Sequence, residues 1–186
     1  MTTTSANPDR LHRAAKRWSR SVASLAVCAT VLLANPTSAQ SIPLSTTAFD
    51  ATFSAAFAVA DVGRSDLFIV RESGNGEEER QGTFTYTSAV IQDLRRLPAG
   101  CGPNSSRGVT GSATLSFVNG DLRLFRLSGD ACFSFPFVEA SEAWVATGGT
   151  GSYRGATGHL AREFVGDVTT LTATGAWTGE LRLISR

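Results

Sequence analysis

The stretch GGTGSYRGATG, residues Gly148–Gly158, puts five glycines into eleven residues between two alternating, strand-like runs. Glycine reaches φ > 0 at little cost, so such a cluster lets a chain turn sharply and lay backbone against backbone. Gly148, Gly149, Gly151, Gly155 and Gly158 are therefore read as a structural turn, and the turn points to a closed antiparallel barrel. The cluster is not a phosphate loop: no Lys-Ser/Thr follows it and no helix is expected after it. A dinucleotide site fails on the same ground.

Working outward, period-two alternation dominates. Phe49, Phe53 and Phe57 alternate with polar or small residues, the pattern of a half-buried strand. Further strands are expected at Asp66–Arg71, ended by Ser73-Gly74-Asn75-Gly76, and at Gly82–Val90. The run Leu97–Gly108 reads as a long loop, and Ser88–Arg96 has room for one short helical turn. Ser112–Val118 and Asp121–Ser128 flank Asn119-Gly120, the strongest short hairpin signal, because both turn residues accept φ > 0. Phe135–Thr147, His159–Val165 and Thr169–Leu183 complete eight strands. An internal echo supports the register: Thr110-Gly111 and Thr157-Gly158 each precede a phenylalanine, Phe117 and Phe164, by six residues from the glycine. Eight strands with tight turns fit an all-β, eight-stranded antiparallel up-and-down barrel of calycin type, which leaves no open edge. Its interior is either filled by side chains or holds one small ligand. A β-sandwich is the alternative with similar signals.

The first 39 residues read as a signal peptide. Arg10, Arg13, Lys16, Arg17 and Arg20 precede an apolar run, Val22–Leu33, and Thr37-Ser38-Ala39 supplies small residues for cleavage after Ala39. The run is shorter than the roughly 20 residues that span a bilayer, so no stable membrane insertion is expected after cleavage. Cys28 follows Val27, where a lipid-modified cysteine would want a small residue, and Lys16-Arg17 is a poor twin-arginine signal. The expected product is one domain, residues 40–186, secreted or periplasmic. The leader holds five of the 17 basic and one of the 16 acidic residues, so 12 and 15 remain, a net charge near −3 with no lysine. No run of like charge suggests a nucleic-acid partner, and Glu77-Glu78-Glu79 reads as a solvated acidic loop. Cys101 and Cys132 form an even pair, which in an exported protein reads as a disulfide. His159 is the only histidine left, too few ligands for a metal site, and no cofactor motif is present.

Thr147–Leu160, TGGTGSYRGATGHL, resembles a stretch of allene oxide cyclases and dirigent proteins: a GGTG-type turn, then an aromatic (Tyr153), further glycines (Gly155, Gly158) and a strand. The resemblance covers about 40 residues and is structural. It implies an eight-stranded antiparallel barrel with an apolar cavity, often as a homo-oligomer. In the cyclases it implies isomerisation of an unstable epoxide held against a polar group. None of their functional residues is carried onto this chain, and the leader and the cysteine pair depart from the plant cyclases.

The candidate site follows from strand parity. By the internal echo Arg162 occupies the inward slot that Leu115 fills in the first hairpin, and Glu142 shares a face with Trp144. Glu142 and Arg162 are thus a candidate charge pair at the end of an aromatic cavity lined by Tyr86, Trp144 and Trp177. A carboxylate in an apolar cavity can have a raised pKa and serve as an acid or base. The alternative parity of the sixth strand turns both charges to solvent, and the rarity of buried charge favours that alternative; Trp144 and Trp177 are by the same rule core before they are ligand platforms. No catalytic residue is assigned: a Ser-His-acid triad has only His159 to draw on, and no G-x-S-x-G elbow occurs. The leading expectation is non-covalent binding of a small apolar or amphipathic molecule, without catalysis. The second is a cyclase or isomerase acting on a reactive lipid-like or phenolic substrate. The third is a structural, envelope-associated barrel. A filled interior favours the third, an open cavity with a buried carboxylate the second, and an open dry cavity the first.

Overall fold

Eight strands follow one another in a computed structural model that describes residues 44–185. They are β1 (Leu44–Arg64), β2 (Leu67–Glu78), β3 (Gly82–Asp93), β4 (Ser106–Phe117), β5 (Gly120–Ser134), β6 (Phe137–Gly149), β7 (Thr157–Asp167) and β8 (Thr172–Ile184). Each pairs antiparallel with the next, and β1 closes on β8 from Leu44↔Ile184 to Ala56↔Thr172, so the sheet is a closed barrel and not a sandwich. The leader, its cleavage after Ala39 and Cys28 lie outside the described residues.

The sheet forms because alternation persists. Along β1 Phe49, Ala51, Phe53 and Ala55 are buried while Asp50, Thr52 and Ser54 are exposed. Several strands run further than their local composition suggests. β2 continues through Ser73-Gly74-Asn75-Gly76, which reads as a turn; a Cβ on Gly74 would press on Ala55, and one on Gly76 on the Phe84 ring, so these glycines admit interior side chains within a strand. β3 continues to Asp93, and no helical turn forms over Ser88–Arg96. Glu78 is not a solvated loop residue: it ends β2 at 2 % exposure and accepts from the backbone N–H groups of Arg80 (2.9 Å) and Gln81 (2.6 Å), closing the β2–β3 turn.

The glycine cluster closes one end. Thr150 N donates to Asp121 O (2.9 Å), Ser152 N donates to Asn119 O (3.0 Å), and Thr150 Oγ1 accepts from Asp121 N (2.9 Å). A single 3₁₀ turn, Gly151–Tyr153, thereby docks on the β4–β5 hairpin. Gly151 has φ +54°, and a Cβ there would collide with Asn119 O. Tyr153 drops into the barrel mouth against Phe117, ring centroids 5.2 Å apart. Behind it Phe49, Phe84, Leu122, Leu160 and Leu181 fill that half of the interior. The opposite end carries the β1–β2, β3–β4, β5–β6 and β7–β8 connections. There the Cys101–Cys132 disulfide ties the long β3–β4 loop to β5, with a Cα–Cα distance of 5.1 Å.

Candidate functional site

Four charged side chains meet at mid-height inside the barrel. Arg162 (β7) is fully buried, and the register sets it directly opposite Glu142 (β6). Its Nη1 donates to Glu142 Oε2 (3.1 Å), while its Nη2 reaches across the interior to Glu72 Oε2 on β2 (2.7 Å) and donates to Tyr86 Oη (3.3 Å). Trp144 Nε1 adds a bond to Glu142 Oε2 (3.0 Å), and Ser88 Oγ one to Glu72 Oε2 (2.7 Å). The second cation, Arg126 on β5, lies 3.1 Å from Glu142 Oε1. Its guanidinium fits where Gly108 and Gly129 leave room, and a Cβ on either would occupy its place. Two carboxylates and two guanidiniums balance, which is how a barrel tolerates charges it cannot hydrate.

Aromatic rings complete the setting. The Arg162 guanidinium carbon is 4.3 Å from the centre of the Phe164 ring, 4.6 Å from Phe53 and 5.2 Å from Trp177, within the range of cation–π attraction. Burial works against the charge on Arg162, but the pull of Glu72 and Glu142 outweighs it and raises its pKa above the ordinary value. For Arg126 burial outweighs the attraction of Glu142 and lowers the pKa. Burial also pushes the Tyr86 hydroxyl well above its usual range, against the opposing effect of Arg162.

Above this layer the barrel is hollow. A cavity of about 210 Å³ opens toward the disulfide end. Its wall is mostly apolar, with Phe57, Val70, Val90, Phe133, Val138 and Phe164 prominent; Glu72 and Glu142 form its floor, and Gln92, Asn104 and Ser106 stand in its wall. The disulfide and the bond from Phe133 N to Ser105 Oγ (2.9 Å) hold the loop bearing Asn104 in place. Among the described residues, no group of three or more His, Cys, Asp or Glu side chains converges as metal ligands would.

The five residues singled out in the sequence occupy one neighbourhood. Glu142 and Arg162 lie inside, not toward solvent, because Ala140, Glu142, Trp144 and Ala146 share the buried parity of β6. Only Glu142 of the five lines the cavity. Tyr86, Trp144, Arg162 and Trp177 pack beneath it, with Trp144 and Trp177 5.4 Å apart in the filled half. Glu72 and Arg126 were not anticipated. Arg126 continues the inward series Leu122, Leu124, so its parity was available in the sequence. Glu72 was hidden by the apparent end of β2 at Arg71.

No family model matches this chain, and no curated protein does. Among solved structures it is similar to the pterocarpan synthase dirigent protein PsPTS1, at 15 % identity over 77 % of this chain and 97 % of that one, with a TM-score of 0.43.

Proposed function

We propose that this is an exported protein that binds a small apolar or amphipathic molecule non-covalently in the open half of the barrel. The observation that carries the reading is the cavity itself: about 210 Å³, walled by Val and Phe side chains and floored by a charge-balanced polar layer. Cavities of roughly 150 Å³ lined by such side chains bind benzene. By that scale this one accepts about eight non-hydrogen atoms, since occupancy follows volume in a close-packed site. Each carboxylate is already committed to a guanidinium, which favours binding over proton transfer. The disulfide supports an oxidising compartment.

A second reading has one specific observation in its favour. Glu72 lines the cavity, and its bond from Ser88 and its ion pair with Arg162 both fall on Oε2, so Oε1 takes neither. A carboxylate so placed suits a cyclase or isomerase that moves a proton on a reactive substrate.

Native mass spectrometry of protein purified gently from an oxidising host tests the binding reading. A mass excess that vanishes on denaturation supports it. An unliganded mass that persists after incubation with compact hydrocarbons and alcohols of this size opposes it.

A further inference from the structure

The cavity floor has a charge order. Both carboxylates, Glu72 and Glu142, line the cavity, and among the described residues no basic side chain does. Arg162 is fully enclosed and paired with both, and Arg126 lies 3.1 Å from Glu142 Oε1 in the space that Gly108 and Gly129 leave. Although the layer is neutral in sum, its carboxylates line the cavity and its guanidiniums do not. Nearest charges dominate the local potential in a site with little water to screen them. The two carboxylates also differ. Glu142 uses both oxygens, taking Arg126 on Oε1 and Arg162 with Trp144 on Oε2. On Glu72 the Ser88 bond and the 2.7 Å approach of Arg162 both fall on Oε2. Glu72 Oε1 takes neither, and its residue lines the apolar cup.

We propose that the cavity selects ligands whose apolar body ends in a hydrogen-bond-donating, non-anionic head group, an alcohol or an ammonium, seated on Glu72 Oε1, and that it rejects carboxylates of the same shape. The proposal rests on the binding reading above and adds the head group to it. A hydroxyl or ammonium donates to Oε1 and satisfies an otherwise lone acceptor, and charge-assisted bonds of this kind are the strong ones. A carboxylate brings a second anion to the same point, where no basic side chain among the described residues lines the cavity to receive it. Recognition by a buried polar group that would otherwise stand unpaired is the most discriminating kind.

The test is a matched series on the intact, disulfide-bonded protein at pH 7.5: cyclohexylmethanol, cyclohexylmethylamine and cyclohexanecarboxylate, titrated by calorimetry or ligand-observed NMR. The alcohol and the amine are expected to bind at least about tenfold more tightly than the carboxylate, the ratio that one good charge-assisted bond supplies. In Glu72→Gln the gap between amine and carboxylate should shrink below about threefold, since a neutral amide replaces the anionic acceptor. The wild-type order decides the proposal alone if that variant does not fold. Equal binding of all three, or tighter binding of the carboxylate, overturns the head-group rule while leaving the binding reading intact. Binding of none overturns both.

Discussion

Replacing Arg162 by methionine should cost this barrel about 3–5 kcal/mol, the range for removing one partner of a buried ion pair and leaving the other. The structure says where the cost falls. Glu142 keeps Arg126 at 3.1 Å and Trp144 Nε1 at 3.0 Å, so it stays compensated. Glu72 keeps the Ser88 hydroxyl at 2.7 Å and the longer-range attraction of Arg126, but no guanidinium in contact with it. The rings of Phe53, Phe164 and Trp177 lose their cation as well. At roughly 2–4 °C per kcal/mol for a domain near this size, the melting temperature should fall by roughly 6–20 °C. Denaturant titration and thermal melting of Arg162→Met measure this directly. The double variant Arg162→Met/Glu72→Gln should recover at least about 1 kcal/mol of the loss, because the orphaned charge is gone. A single variant within about 1 kcal/mol of wild type, or a double variant no better than the single, would refute the ion-pair reasoning.

Three further outcomes are expected. The chain holds two tyrosines, Tyr86 and Tyr153, and burial raises both pKa values, helped for Tyr153 by Glu78. Because the folded values lie above the unfolded one, this contribution to stability is whole below pH ~10 and is lost as pH rises beyond it. Tyrosinate absorbance should therefore stay absent at pH 10.5 and appear together with the loss of near-UV circular dichroism; gradual ionisation in the folded state would contradict the burial. Cys132→Ser opens a loop of sequence separation 31, which by chain entropy costs about 3.7 kcal/mol, read by denaturant unfolding against the oxidised protein. Gly151→Ala should cost roughly 2–3 kcal/mol, since φ is +54° and the added Cβ meets Asn119 O; a neutral result in thermal melting would remove the docking role of the glycine turn.

Much of the barrel was legible because its cause is local. Alternation at Phe49–Phe57, the Asn119-Gly120 turn and the glycine-rich segment each point to strands and tight turns from adjacent residues alone. Strand ends were less legible where a tertiary neighbour decides. Gly74 and Gly76 have turn composition, yet they stay extended because Ala55 and Phe84 need the space above them. The charge layer was half legible. The echo that sets Arg162 in the place of Leu115 gives its inward parity, but parity on one strand cannot say that a charge finds a partner. That depends on closure, which carries Glu72 of β2 across the interior to Arg162 of β7, strands that share no hydrogen bonds. The position of the cavity was not legible at all. It depends on which half of the barrel the large rings fill, and Trp144 and Trp177 fill the half away from the disulfide end.

The central claim is that a small apolar molecule enters the open half of the barrel. Methyl-resolved ¹H–¹³C spectra of the protein titrated with cyclohexylmethanol test it most directly. The account predicts saturable shifts at Val70, Val90 and Val138, which line the cavity, with Leu122 and Leu181 in the filled half unmoved. Shifts confined to the outward-facing Val109 and Leu127, or no saturable shift at the cavity methyls, would contradict it.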